Sequence, residues 1–174
     1  MDFDLLYAIQ SMRNPFLDSI TVFVTNITGS YGQLWLFIGI CLCIFKKTRK
    51  CGITITCSYL DMLIIGQLIL KDLIARPRPC HIDQSIDLLV DRPSSYSCPS
   101  THSGWAFSAA TSVTFYFRKF GIALLVLAAI ISFSRMYLFV HFPTDVLLGI
   151  VMGIVSSLLI KNLVEKLYSK NKII

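Results

Sequence analysis

A short stretch, SRMYLFVHFPTD from Ser134 to Asp145, places an arginine, a histidine and an aspartate between two apolar runs. Histidine can exchange a proton near neutral pH, and it can also form a covalent intermediate as a nucleophile. If a helix begins near Phe142, the Asp145 carboxylate can reach back to the His141 ring, fix its tautomer and leave the other ring nitrogen free to attack. The same spacing also suits a helix cap without chemistry, so this pair alone leaves both interpretations open.

The elements that must position these side chains are membrane helices. Hydrophobic residues make up 55% of the 174-residue chain and charged residues only 15%, against about 25% charged residues in soluble domains. The apolar residues cluster in runs, which predicts an all-α integral membrane protein with one six-helix domain over residues 1–174. The predicted spans are Phe16–Ile27, Leu34–Phe45, Ile53–Ile74, Thr101–Phe117, Gly121–Leu138 and Val146–Ile160. Several of them are shorter than the ~20 residues that a full crossing needs.

The beginning of the chain has a different pattern. Residues Met1 to Met12 predict a short amphipathic helix that lies on the membrane surface. A cleaved signal peptide is not expected, because this segment carries Asp2 and Asp4 and lacks a basic region before the apolar residues.

Basic residues predict the orientation. Eleven of the sixteen lysines and arginines would share one side of a six-span bundle: Arg13, Lys46, Lys47, Arg49, Lys50, Arg118, Lys119, Lys161, Lys166, Lys170 and Lys172. Basic loops stay in the cytoplasm, so this side and both termini are predicted to be cytoplasmic. The net charge of +6 is explained by this topology. No basic stretch is interleaved with aromatic residues, so a nucleic-acid partner is not expected.

The other five basic residues would face outside: Lys71, Arg76, Arg78, Arg92 and Arg135. A charge within a span costs about 2.5–3.5 kcal/mol on insertion scales, so each needs a reason. Arg76 suits either a lipid headgroup contact or simple interfacial anchoring, and Arg92 lies in a loop whose charged residues are expected to be solvated.

Two helix N-termini are expected beside these cations. The segments CPSTHSG (Cys98–Gly104) and HFPTD (His141–Asp145) open the fourth and sixth spans. Ser100 suits an N-cap and Pro143 suits the first turn of a helix. Unpaired N–H groups at two helix ends, together with three cations, make a binding site for a doubly charged anion, most naturally phosphate.

Three stretches resemble the motifs of the type 2 phosphatidic acid phosphatase (PAP2) superfamily. The first is Lys71, six residues and then Arg78-Pro79; the second is the run PSTH, residues 99–102. The third is Ser134-Arg135, five residues, His141, three residues and Asp145. All three spacings fit the family and occur in its order, over residues 71–145.

The resemblance implies a role for each matched residue. His141 would attack phosphorus to form a phosphohistidine, Asp145 would orient His141, and His102 would protonate the leaving oxygen and then activate water. The residues that would hold the phosphate oxygens, with backbone N–H groups, are Lys71, Arg78, Ser100, Thr101 and Arg135. Family members of this kind need no metal. Bacterial members most often have glycine where Thr101 stands, so this departure bears on substrate preference more than on chemistry.

The resemblance also implies an activity, which is hydrolysis of a lipid phosphate at the outer face of the plasma membrane. The outside location and the small size favour undecaprenyl diphosphate as the substrate and undecaprenyl phosphate as the product, which serves cell wall biogenesis. Phosphatidylglycerophosphate and phosphatidate are alternative substrates. A vanadate-dependent haloperoxidase or a non-catalytic lipid or ion transporter are alternatives of other classes. The sequence does not indicate an oligomeric state.

The cysteines fall into two groups. Cys80 and Cys98 are both expected outside, beside the first and second motifs, and we predict a disulfide between them. Such a bond would contribute roughly 3 kcal/mol through chain entropy. The other four are expected to be membrane-core residues: Cys41, Cys43, Cys51 and Cys57.

Overall fold

Helices make up all the regular structure of residues 2–171, the part of the chain that the computed structural model describes. They are α1 (Asp2–Gln10), α2 (Pro15–Thr28), α3 (Gln33–Ile44), α4 (Arg49–Asp61), a π-helical segment (Met62–Leu70), α5 (Lys71–Ile74), α6 (Pro79–Ile82), α7 (Thr101–Tyr116), α8 (Arg118–Tyr137) and α9 (Pro143–Asn171). The predicted all-α class is confirmed. Met1 and Lys172, which entered the predictions above, lie outside the described residues.

Helix α7 is the centre of the bundle and packs against α4, α8 and α9. Its inward residues include Ala106, Ala109 and Ala110, which are almost completely buried. Small residues also let α9 approach closely, because Gly149 and Gly153 lie directly against backbone atoms of α7 and of the residue before it. The start of α7 and the start of α9 are therefore held side by side.

The outer surface of the bundle is apolar. Large side chains that point outward include Phe37, Phe120, Val126 and Leu159, each more than half exposed. An apolar surface of this extent is expected where lipid, rather than water, surrounds the helices. Three segments are long and apolar enough to cross a membrane: Arg49–Ile82, Arg118–Tyr137 and Pro143–Lys170. The pair α2 and α3, bent by 50°, brings the number to four if it counts as one span.

Helix α2, which covers the predicted span Phe16–Ile27, is a candidate for crossing a membrane only together with α3. The backbone N–H of Asn14, just before α2, donates to the hydroxyl of Tyr137, and the carbonyl of Gly29, just after α2, contacts His102. Tyr137 ends α8 and His102 begins α7. Both ends of α2 thus contact the same end of the bundle.

The N-terminal helix packs against the protein at this same end. Leu6 of α1 is fully buried, and the ring of Phe3 meets the ring of Phe142 edge-on at 5.1 Å between centroids. Helix α1 is thus docked on the bundle, with only its other face, including Leu5 and Tyr7, exposed.

The two described ends of the chain lie at opposite ends of the bundle. Helix α9 begins beside α1 and then runs for 29 residues, about 43 Å, away from it. The predictions of six spans and of both termini on one side are therefore not confirmed. Most of the basic residues do share an end, and the ammonium of Lys50 at the start of α4 lies 4.9 Å from the ring centroid of Tyr168 near the end of α9.

Candidate active site

One cavity of about 650 Å³ opens at the end of the bundle where α7 and α9 begin. Its walls come from α2, the π-helical segment, the loop of residues 89–95, the start of α7 and the end of α8. Six residues that were selected from the sequence line it: Lys71, Arg78, Thr101, His102, Arg135 and His141. They come together because each lies at or near a helix end, and these helix ends meet at one level of the bundle.

Two cations in the wall have donors without partners. Lys71 and Arg135 are each only 4% exposed. Among residues 2–171 no hydrogen bond or ion pair reaches the ammonium of Lys71. Arg135 donates through Nη2 to the hydroxyls of Thr25 and Ser134, while its Nη1 has no partner in the same part of the chain. A buried charge is costly unless an opposite charge compensates it, so this cavity favours an anionic ligand.

Arg78 is fixed from several sides. Its Nε donates to the carbonyl of Ser95 (2.7 Å) and its Nη2 to the Ser95 hydroxyl (3.0 Å). Its Nη1 donates to the carbonyl of Val140 (2.8 Å) and lies 3.1 Å from Nε2 of His141. A guanidinium has only donors, so Nε2 of His141 is the acceptor and carries a lone pair. In the neutral ring the proton is therefore on Nδ1.

The His141–Asp145 pair is close but not hydrogen-bonded. Nδ1 of His141 lies 3.9 Å from Oδ2 of Asp145 and, being buried, has no hydrogen-bond partner among the described residues. The carboxylate lies near the ring as the spacing predicts, but the expected hydrogen bond is not formed, and Asp145 bonds to other groups. Asp145 accepts from the hydroxyl of Ser97, from the backbone N–H of Phe142 (2.9 Å) and from Nη1 of Arg76 (2.7 Å).

Burial controls the charge of His141, which lies in the turn between α8 and α9. Desolvation lowers its pKa from 6.5 to about 3, and the nearby charges of Arg78 and Lys71 act in the same direction. The imidazole is therefore neutral at physiological pH. A neutral ring with a lone pair on Nε2 that opens into the cavity is the form that can act as a nucleophile.

His102 has the opposite arrangement of its ring nitrogens. Its Nε2 lies 3.0 Å from the carbonyl oxygen of Gly29, and a carbonyl can only accept, so Nε2 carries the proton. In the neutral ring Nδ1 is then the nitrogen that can take up a proton. The ring meets Trp105 edge-on at 5.7 Å between centroids, which further fixes its orientation.

Ser100 and Thr101 are less directly placed. Ser100 occupies the N-cap position of α7, but its side chain makes no capping bond; its hydroxyl lies 3.0 Å from the Ser103 hydroxyl. Its backbone N–H donates to the carbonyl of Asp145 (3.0 Å), which ties α7 to α9. Thr101 lines the cavity and donates through its hydroxyl to Oε1 of Gln67 (3.0 Å). Pro143 is the first residue of α9, which confirms the prediction that it lies in the first turn of a helix.

Several residues at the site were missed from the sequence. Arg76 and Ser97 both donate to Asp145, although the prediction for Arg76 was only a headgroup or anchoring role and Ser97 was not selected. Gln67 also lines the cavity. A polar residue in an otherwise apolar span is a signal for function, and that signal could have identified Gln67. Nothing in the local sequence pattern points to Ser97.

Cys80 and Cys98 are both buried, and all six cysteines, each within the described residues, are free thiols in the structure. Burial raises the pKa of the Cys98 thiol to about 11. The disulfide between these two cysteines stays a prediction.

Comparison with known proteins identifies the family. The profile of the PAP2 superfamily matches residues 52–169, which is more than half of the 174-residue chain. The chain therefore belongs to the PAP2 superfamily.

Several named relatives are lipid phosphatases. The chain is 32% identical over 138 residues to the undecaprenyl-diphosphatase of Sulfolobus acidocaldarius, a match that covers 79% of this chain and 66% of that protein. It is 28% identical over 162 residues to the undecaprenyl-diphosphatase BcrC of Bacillus subtilis, covering 89% of this chain and 80% of BcrC.

A solved structure of a PAP2-type phosphatase is also similar to this chain. The PAP2-type phosphatidylglycerolphosphate phosphatase of Bacillus subtilis superposes with a TM-score of 0.76 at 29% identity, covering 95% of this chain and 85% of that one. The protein described here is accordingly a membrane protein and a phosphatase.

Proposed function

We propose that the protein hydrolyses a lipid phosphate at the extracytoplasmic face of the plasma membrane, through a phosphohistidine on His141. The observation that carries the proposal is a pair of buried cations, Lys71 and Arg135, in the same cavity as two histidines; within residues 2–171 each has a donor without a partner. Phosphate supplies the missing negative charge, and its oxygens supply acceptors for the free donors. A cavity of about 650 Å³ has room for a phosphorylated headgroup.

The distribution of charge supports the side of the membrane. The end of the bundle opposite the cavity carries the basic turn before α4, the basic start of α8 and the lysines near the end of α9. Basic loops favour the cytoplasm, so the cavity and α1 would face outside. We propose five crossings instead of the six predicted from the sequence. They are α3, the segment that begins with α4, and the helices α7, α8 and α9.

The first chemical step forms a bond from Nε2 of His141 to phosphorus and breaks the bond from phosphorus to the leaving oxygen. Arg78 donates to Nε2, so a bound phosphate must accept this donor and release the lone pair. Lys71 and Arg135 stabilise the charge that develops on the phosphate oxygens, which is usually the largest catalytic contribution. His102, protonated on Nδ1, gives that proton to the leaving oxygen.

The second step returns the enzyme to its starting state. His102, now neutral on Nδ1, takes a proton from water as the water oxygen attacks phosphorus. The bond from Nε2 of His141 to phosphorus breaks, and inorganic phosphate leaves. The Asp145 carboxylate, 3.9 Å from Nδ1, stabilises the positive charge that the His141 ring carries while it is phosphorylated.

We propose undecaprenyl diphosphate as the substrate, with undecaprenyl phosphate as the lipid product. The undecaprenyl-diphosphatases of Sulfolobus acidocaldarius and Bacillus subtilis support this choice. Phosphatidylglycerophosphate is the second candidate, because the phosphatidylglycerolphosphate phosphatase structure superposes over 95% of the chain. A lipid A 4'-phosphatase of Bacteroides thetaiotaomicron is also similar, at 26% identity over 167 residues, and phosphatidate remains a further substrate to compare.

Phosphate release from purified protein in detergent micelles tests the proposal. The four lipids are assayed side by side, and kcat/KM is expected to be highest for undecaprenyl diphosphate. The variant His141→Ala should lose turnover on every lipid, whereas Lys50→Met, at the opposite end of the bundle, should keep it. A higher kcat/KM for phosphatidylglycerophosphate would overturn the substrate, and full turnover by His141→Ala would overturn the mechanism.

A further inference from the structure

We propose that Arg76 is a positioning residue for the His141–Asp145 pair, and that the N-terminal helix α1 holds Arg76 in place through Asp2. This inference rests on the proposed phosphatase reaction and adds to it an element that is remote from the three motifs in the sequence.

The contacts of Arg76 fix one oxygen of Asp145 directly and the other indirectly. Its Nη1 donates to Oδ1 of Asp145 at 2.7 Å. Its backbone carbonyl accepts from the backbone N–H of Ser97 at 2.8 Å, and the hydroxyl of Ser97 donates to Oδ2 of Asp145. Asp145 is fully buried, so Arg76 is also the cation that compensates its charge. The direction of the carboxylate toward Nδ1 of His141 therefore depends on Arg76.

Arg76 is in turn held by residues outside the cavity. Nη2 donates to Oδ2 of Asp2 at 2.8 Å, and Nη1 also donates to the hydroxyl of Thr144 at 2.6 Å. The guanidinium carbon lies 3.9 Å from the ring centroid of Phe142, which places the cation over the ring. The hydrogen bond from Arg76 lowers the pKa of Asp2, which keeps that carboxylate ionised.

Helix α1 carries Asp2 to this point because its apolar face is docked beside the site. Phe3 packs on Phe142, and the buried Leu6 belongs to the same cluster as Phe139. Tyr7 ties α1 to the following loop by donating to Oδ2 of Asp83 at 2.8 Å. Asp2 and Tyr7 both lie on α1, but only Asp2 contacts Arg76.

Arg76 does not belong to the cavity wall, which is lined by other cations. A residue outside the wall that orients a catalytic group should change kcat and leave KM nearly constant. A residue that binds the headgroup, the role that the sequence also allowed, should raise KM. The two roles are therefore separable by steady-state kinetics.

The experiment compares four variants of the full chain in detergent micelles, with phosphate release from undecaprenyl diphosphate. Arg76→Gln is expected to lower kcat about 10- to 100-fold, the range seen when a group that orients a catalytic ligand is lost, with KM within about twofold. Arg76→Lys, which keeps the charge, should recover part of kcat. Asp2→Asn should lower kcat less than Arg76→Gln, and the matched control Tyr7→Phe should stay within about twofold of wild type.

Each other outcome overturns the inference. Unchanged kcat in Arg76→Gln shows that Asp145 does not need Arg76, and a raised KM with unchanged kcat shows headgroup binding instead. Equal losses in Tyr7→Phe and Asp2→Asn show that docking of α1 matters but the Arg76 contact does not. Should Arg76→Gln fail to fold, Arg76→Lys and Asp2→Asn decide by the same criteria. Absence of phosphate release by the wild type would instead refute the proposed function, so the two failures are distinguishable.

Discussion

Substitution of Gly149 by alanine is expected to disable the site without touching any catalytic group. Gly149 lies on α9, one turn after Asp145, and faces the carbonyl of Ser100, the residue before α7. A Cβ at Gly149 would lie well inside contact distance of that oxygen and 3.1 Å from the carbonyl carbon. Optimal carbon–carbon separations are about 3.5–4.0 Å, so the start of α7 must move by about 0.5 Å or more.

This movement has a calculable cost in stability and in rate. Overpacking of this kind destabilises by about 1–3 kcal/mol. The start of α7 carries His102, and a misplacement of about 1 Å can cost about 10²-fold in rate. We therefore expect Gly149→Ala to lower kcat/KM by about 10- to 100-fold, together with a lower temperature of unfolding.

The assay is phosphate release from undecaprenyl diphosphate, with thermal unfolding measured on the same detergent-purified samples. Gly66→Ala is the matched control, because the nearest atoms to its Cβ would be the flexible end of Met62 at 3.1 Å and the Thr101 methyl at 3.3 Å. It should keep kcat/KM within a few-fold. Wild-type kcat/KM and unfolding temperature in Gly149→Ala would show that the α7–α9 contact does not position the site.

Three further predictions test single groups. Arg135→Gln should lower kcat by about 10²–10³-fold, since one charged donor to the transition state is lost, and it should weaken inhibition by vanadate in the same phosphate-release assay. Ser97→Ala should lower kcat with little change in KM, because Oδ2 of Asp145 loses a donor outside the cavity wall. The unfolded chain protonates His141 near pH 6.5 but the folded protein only near 3, so this residue makes stability fall as pH drops from 6.5 toward 3. Thermal unfolding at pH 7 and pH 4.5 should therefore show a larger loss for wild type than for His141→Gln, by on the order of 2 kcal/mol, and equal losses would contradict the buried neutral ring.

The sequence predicted the cavity lining well because its motifs lie at helix ends. Lys71, Arg135 and His141 are far apart in sequence, but in an antiparallel helical bundle alternate helix ends meet at one level. The spacing of four residues between His141 and Asp145 was also enough to place the carboxylate near the His141 ring. Local spacing and the alternation of helix direction suffice for these features.

Other features depend on contacts that hydropathy does not encode. The ion pair of Asp2 with Arg76 joins residues that are 74 positions apart, and no local pattern selects that partner. Helix α2 is as apolar as a short span, but its ends are held by hydrogen bonds to α7 and α8 residues at one end of the bundle. Hydropathy alone therefore does not decide whether this helix crosses the membrane, and the side of the N-terminus depends on that.

The central claim is that Nε2 of His141 becomes bonded to phosphorus during turnover. The most direct measurement is rapid acid-free quenching of the enzyme with undecaprenyl diphosphate labelled in its terminal phosphate, followed by peptide mapping of the label. Label is expected on His141, with none on the protein in His141→Ala. Label on any other residue, or wild-type turnover by His141→Ala, would contradict it.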